Sequence, residues 1–186
     1  MDPELVARAQ QGDQQAFRTL ALAAHPRLYR IALGVLGDEQ PAEDATQQAL
    51  IAIWRYLPRL RDPERFDGWS YRLLVRACYA EAKHDPKWLP ESAMAGDREP
   101  RVADDYLGVV ERDRLERGFR RLSVEHRAVI VLRYMLDLPL EQVADALDVP
   151  VSTVKSRQSR ALQALRAAIE ADERLMAPAM RREVAR

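Results

Sequence analysis

Six side chains in the C-terminal part of the chain, Ser152, Thr153, Lys155, Ser156, Arg157 and Arg160, have the types and spacing to read duplex DNA. Short hydroxyl side chains allow close approach to base-pair edges in the major groove, while Lys and Arg reach guanine acceptors and phosphates. At about 100° per residue, Ser152, Thr153, Ser156, Ser159 and Arg160 share one side of a helix. Lys155 and Arg157 flank that side, and Val154, Ala161, Leu162, Leu165 and Ile169 lie opposite. A solvated amphipathic helix would present a similar polar face. What favours DNA is the preceding segment, in which Leu140, Val143, Ala144 and Leu147 form the apolar stripe of a short helix. Asp148-Val149-Pro150 then interrupts it, Asp148 tolerating a left-handed backbone and Pro150 stopping the helix. Ser152 or Thr153 is placed to cap the helix that follows. A short helix, a tight turn and a polar-faced second helix make a helix-turn-helix. Gln158 is the misfit on the apolar side, expected to be partly buried or to face a partner.

Two further sets lie in the N-terminal half. Trp69, Arg72, Arg76 and Lys83 share one side of a predicted helix, opposite Tyr71, Leu74, Val75, Cys78 and Ala82. An aromatic ring among cations suits single-stranded DNA, with bases stacking on the ring and phosphates held by the charges; Trp69 as a core residue at the domain edge fits the spacing equally well. In the preceding helix Asp44, Gln48, Ile51 and Arg55 recur at i, i+4, i+7 and i+11, with Leu50, Ile53, Trp54 and Leu57 as the expected core stripe. Such a stripe is usually a solvated face, but an apolar Ile51 in its middle also fits a partner helix.

Chemistry of other kinds finds no support. His25, His84 and His126 are scattered, no metal-ligand spacing or phosphate-cradling Gly loop is present, and Cys78 falls on an apolar side without a neighbouring base. No catalytic residue, metal or cofactor is expected, and the chain does not read as an enzyme.

These sets must be positioned by helices. Among 186 residues there are only 7 Gly and few aromatics, against abundant Ala, Leu, Arg and Glu, which favours an all-α fold. Residues 4–84 read as successive helices punctuated at Pro26, at 34–38, at Pro41, Pro58 and Pro63; the pattern fails from Asp85 to about Asp105 and resumes near Tyr106. The predicted organisation is therefore two small helical domains: a bundle over 1–85, a flexible acidic linker over 86–110, a helix-turn-helix domain over 111–170 and a tail over 171–186. Lys plus Arg and Asp plus Glu both number 29, a net charge of zero that argues against nucleic acid. Divided by segment, however, residues 1–95 sum to −1, residues 96–111 to −3 and residues 112–186 to +4. The C-terminal domain is basic on its own, and DNA senses a field only within about 8 Å at physiological salt. A single cysteine, an acidic start and no long apolar run point to the cytoplasm, without membrane insertion.

Taken in order, these segments resemble bacterial sigma factors of the extracytoplasmic-function group. The resemblance is carried by Leu5-Val6-Ala7-Arg8-Ala9-Gln10-Gln11-Gly12-Asp13, Pro26-Arg27-Leu28-Tyr29, Ala42-Glu43-Asp44-Ala45-Thr46-Gln47-Gln48, Phe66-Asp67-Gly68-Trp69-Ser70-Tyr71-Arg72, Leu138-Pro139-Leu140-Glu141-Gln142-Val143-Ala144 and Val151-Ser152-Thr153-Val154-Lys155-Ser156-Arg157. It implies a non-catalytic subunit that binds core RNA polymerase and directs it to promoters. Asp44, Gln48, Ile51 and Arg55 would dock on the clamp helices of the largest polymerase subunit. Trp69, Arg72, Arg76 and Lys83 would meet the minus-ten element as it opens, with the loop carrying Arg61, Phe66 and Asp67 capturing a flipped base. Ser152, Thr153, Lys155, Ser156, Arg157 and Arg160 would read the minus-thirty-five element. The flap of the second-largest subunit and an anti-sigma factor are implied as further partners, and the linker would thread the polymerase channels. This sequence has Ala77 where the family often has Asn, Asp148 for a common turn Gly and Gln158 for an apolar residue; the tail lies outside the match. The competing class is a stand-alone helix-turn-helix regulator, which would need neither the Asp44 stripe nor the Trp69 face.

Overall fold

The computed structural model describes residues 1–84, 115 and 117–183, with the predicted linker outside that set. Every regular element among the described residues is helical. Helix α1 (Pro3–Gln10) begins with Pro3 at its first position and Asp2 as cap, whose carboxylate accepts from the Glu4 N–H at 3.0 Å. Asp13 caps α2 (Gln14–Leu36) through the Ala16 N–H at 2.9 Å and pairs with Arg8 at 2.7 Å. The Ala16 hydrogen bond first, then Arg8, holds the Asp13 carboxyl below its ordinary range. Gly37 ends α2 with φ of 68°, a left-handed conformation that glycine adopts without a Cβ penalty. Asp38 caps α3 (Glu39–Tyr56), two 3₁₀ turns follow (Leu57–Arg59 and Pro63–Arg65), and α4 (Phe66–His84) completes the bundle.

The punctuation expected at Pro26 is absent, and α2 passes through it without a break; the break expected at 34–38 occurs at Gly37 and Asp38. The residue four before Pro26, Leu22, is exposed, so water can serve the carbonyl that loses its donor.

The second domain opens with a helical turn at 117–120, then α5 (Val124–Ile130), capped by Ser123, which runs on into a π-turn (Val131–Met135). Helix α6 (Leu140–Leu147) ends on Asp148 with φ of 57°, the left-handed turn the sequence suggests, and α7 (Val151–Glu183) follows. Neither Ser152 nor Thr153 is the cap: the Pro150 carbonyl accepts from Thr153 and Val154 N–H, so both lie within the first turn of α7. The backbone helix continues to Glu183, past the expected end near 170.

The two domains are not separate bodies. A single apolar cluster joins Leu28, Ile31, Val35 and Leu74 of the bundle to Val129, Val131, Leu132 and Leu147 of the second domain. Gly34 lies where they meet: a Cβ there would stand 3.0 Å from Val131 Cγ2 and 3.3 Å from Met135 Sδ. Arg127 on α5 is fully buried and donates from Nη1 to the Leu36 carbonyl at the end of α2 (3.2 Å); burial lowers its pKa to about 10, so it stays charged near neutrality.

Cys78 lies in the bundle core, and burial pushes its thiol up to about 12. Thiolate is the reactive form, so the native protein should resist maleimide labelling at pH 7.5 and label fully in denaturant. Rapid native labelling would contradict this packing.

Candidate nucleic-acid interface

The helix-turn-helix set is assembled as the sequence suggests. Ser152, Lys155, Ser156 and Arg160 are exposed on α7, with Thr153 and Arg157 half-buried. The Ser156 hydroxyl donates to the Thr153 carbonyl at 2.9 Å. On the reverse side Val154, Ala161 and Ala168 are buried, whereas Leu162, expected there, is exposed. Gln158 is explained by a hydrogen bond from its Nε2 to the Tyr134 hydroxyl at 2.8 Å. The π-turn holds Tyr134 and Met135 at the surface.

On α4, Trp69 is half-buried, Arg76 and Lys83 are exposed and Arg72 is intermediate. The loop before it departs from the sequence reading. Phe66 is 1 % exposed and packs near Trp69 with ring centroids 6.1 Å apart, so it supports the loop from beneath and is not presented to a base. Asp67 is held by Arg27, whose guanidinium also stacks 5.2 Å over the Tyr71 ring, and by the Met1 ammonium at 3.0 Å. These two partners tie Asp67, which stays partly exposed, to the start of α4. Arg61 is exposed.

The α3 set is also in place. Gln48, Ile51 and Arg55 are exposed and Asp44 half-buried, on one face of the helix. The Gln48 amide bonds Glu81 of α4, and the Gln40 amide reaches Asp44 at 3.3 Å. Trp54, expected in the core, is 66 % exposed and lies next to Ile51, itself 57 % exposed. It borders a hollow lined also by Phe17, Leu57 and Pro58. The signal for this was the Ile51-to-Trp54 spacing of i, i+3, which extends the stripe around the helix.

A helical bundle with an exposed mixed face on α3, a cationic face on α4 and a basic helix-turn-helix behind it define a two-part DNA-directing protein. Residues 20–84 match the Sigma-70 region 2 model and residues 118–167 the Sigma-70, region 4 model, and the chain belongs to the sigma-70 family of RNA polymerase sigma factors. Its relatives place it in the extracytoplasmic-function group. It is 33 % identical over 163 residues to the ECF RNA polymerase sigma factor SigM of Mycobacterium tuberculosis, covering 86 % of this chain and 80 % of that one. It is 27 % identical over 173 residues to SigW of Bacillus subtilis (87 % and 92 %) and 29 % identical over 181 residues to the RNA polymerase sigma-H factor of Pseudomonas aeruginosa (91 % and 94 %). In fold it resembles CnrH, solved with the cytosolic domain of CnrY (TM-score 0.66, 24 % identity, 92 % of this chain and 98 % of that one). It also resembles the sigma factor RpoE of Bartonella quintana, solved with the anti-sigma factor NepR (TM-score 0.64, 20 % identity, 84 % and 98 %).

Proposed function

We propose that this sigma factor works as a cytoplasmic, non-catalytic subunit that joins core RNA polymerase through α3 and reads promoters through α4 and α7. The observation that carries this is the coexistence of an exposed apolar patch on α3, Ile51 and Trp54, with two separate basic faces, because a stand-alone regulator needs only the last. The α3 face, with Asp44, Gln48, Ile51 and Arg55, docks on the clamp helices of the largest subunit. Arg72, Arg76 and Lys83 hold the phosphates of the opened minus-ten strand, and Trp69 with Arg61 meets its bases. Extruding a base costs a few kcal/mol, and stacking returns about 1 to 3 kcal/mol per base. Ser152, Thr153, Lys155, Ser156, Arg157 and Arg160 read the minus-thirty-five duplex, while the second domain rests on the polymerase flap. Residues 86–110 form the acidic connection between the two promoter-reading domains and 171–186 lie beyond them. No helix among the described residues is long and apolar enough to cross a membrane. An anti-sigma partner is expected here as in RpoE of Bartonella quintana.

With a formal charge of zero the chain has little surplus to drive DNA binding by itself. Specific retention of a genomic promoter fragment should therefore require core polymerase, and tight site-specific binding by the chain alone would favour the stand-alone regulator. Within this reading, Arg160→Ala should weaken use of promoters with an intact minus-thirty-five element by about 1 to 3 kcal/mol, as loss of a base contact does. An equal loss on all DNA, measured by binding of holoenzyme to promoter and scrambled duplexes, would instead give Arg160 to phosphate.

A further inference from the structure

Helix α1 carries none of the residues assigned above to DNA or polymerase, yet its last residue holds the segment that leads into the minus-ten loop. Gln10 Nε2 donates to the Leu60 carbonyl at 2.6 Å and to the Leu57 carbonyl at 3.2 Å, across 50 and 47 positions of the chain. Both carbonyls stand where α3 runs out through the 3₁₀ turn at Leu57–Arg59 and the backbone becomes extended at Leu60. The end of a helix leaves carbonyls short of donors, and one amide with two N–H groups serves both from another element. Gln10 is itself fixed. Val6 and Ala9 bury α1 against the bundle, Gly12 turns the chain with φ of 91°, and Asp13 both caps α2 and pairs with Arg8 at 2.7 Å. The far end of the loop is fixed as well, by buried Phe66 and by the Arg27 guanidinium on Asp67. Between these two anchors Arg61, Asp62, Glu64 and Arg65 are exposed. A short segment tied at both ends keeps few conformations, and a loop ordered beforehand loses less entropy when it takes a base.

We propose that Gln10 is a positioning residue for promoter opening: its amide fixes the start of the 61–65 loop, so that Arg61 is presented to the minus-ten strand in a preset place. The inference rests on the assignment of Arg61 to the bases of that strand. Gln10 has no contact with DNA in this arrangement and acts only through the Leu57 and Leu60 carbonyls. The chemistry of those acceptors sets which side chains can replace it, since the C-terminal end of a helix accepts donors and cations and disfavours an anion. Gln10→Glu keeps the shape, loses both N–H groups and sets a carboxylate against two carbonyls. Gln10→Lys restores N–H donors on a side chain long enough to reach them. Gln10 also lines the hollow beside Trp54, so polymerase docking is measured apart from opening.

Both variants are tested in the full-length chain. A spin label at Glu64→Cys, an exposed loop position not assigned to DNA, reports loop motion, while buried Cys78 stays unlabelled. In chains without the label, competition for core polymerase gives docking affinity. The rate of open-complex formation is measured at saturating chain on a promoter mapped after overexpression. Gln10→Glu is expected to narrow the label's spectrum to that of a mobile loop and to slow opening about 10-fold, the effect of one or two lost hydrogen bonds, with polymerase affinity unchanged. Gln10→Lys should restore both the spectrum and the rate. An immobile label in Gln10→Glu would overturn the tie between α1 and the loop. A mobile label with an unaltered rate would overturn the positioning if Arg61→Ala, measured alongside, slows opening. If Arg61→Ala is equally without effect, the assignment of Arg61 to the strand falls, and the proposal with it. A defect confined to polymerase affinity and repaired at saturation would give Gln10 to docking instead, and slowing that Gln10→Lys does not relieve would overturn the hydrogen bonds as its cause. If Gln10→Glu fails to fold, Gln10→Met, uncharged and of similar length, carries the same expectations.

Discussion

Ile51→Glu combined with Trp54→Ala is expected to weaken binding to core RNA polymerase by about 30- to 1000-fold, the loss of one or two interface anchors worth about 2 to 4 kcal/mol. Both side chains are mostly in water in the free protein, at 57 % and 66 % exposure, so the fold has little to lose from the change. In the complex the same two groups would be desolvated against a partner, where an aromatic contributes most and a buried carboxylate without a partner is costly. Competition against a labelled wild-type chain for core polymerase measures the effect directly. Asp44→Arg with Gln48→Ala should cost less, because Gln48 is already engaged by Glu81 and Asp44 by Gln40. Unchanged competition by the Ile51/Trp54 variant would place polymerase docking on another face.

Phe66→Ala is expected to destabilise the chain by about 3 to 5 kcal/mol, because a fully buried ring leaves a cavity on truncation. Phe66→Leu keeps most of the volume and should cost less than about 1.5 kcal/mol. Urea unfolding followed by circular dichroism distinguishes this from a DNA-facing role. If Phe66 met a flipped base, the alanine variant would unfold at the wild-type urea concentration and lose only promoter opening. A large fall in the unfolding midpoint, restored by leucine, is the expected result.

What could be read from the sequence was what periodicity and local stereochemistry control. The apolar stripe of Leu140, Val143, Ala144 and Leu147, the left-handed turn at Asp148 and the polar face of α7 are encoded within neighbouring residues, and they occur as expected. The same holds for the Gln48, Ile51 and Arg55 face and for buried Cys78. Tertiary pairings were not legible. Phe66 and Asp67 have the types expected of a DNA-capturing loop, but Phe66 packs into the core and Asp67 meets Arg27, which lies 40 positions away. Trp54 is apolar by type, yet its helix turns it outward. The break expected over 34–38 occurs at Gly37 and Asp38, but Gly34 itself lies inside α2; its reason there is the close approach of Val131, which no local pattern reveals. The docking of the two domains rests on pairs such as Arg72 with Asp145, Arg76 with Asp148 and Arg127 with Leu36, separated by 73, 72 and 91 positions.

Run-off transcription from a promoter mapped after overexpression, with purified core polymerase and this chain as the only sigma factor, tests the central claim most directly. The expected result is a discrete transcript that requires the chain, starts at the mapped position and disappears with Ile51→Glu/Trp54→Ala. Absence of any promoter-dependent transcript, together with tight binding of the isolated chain to the same duplex, would contradict it.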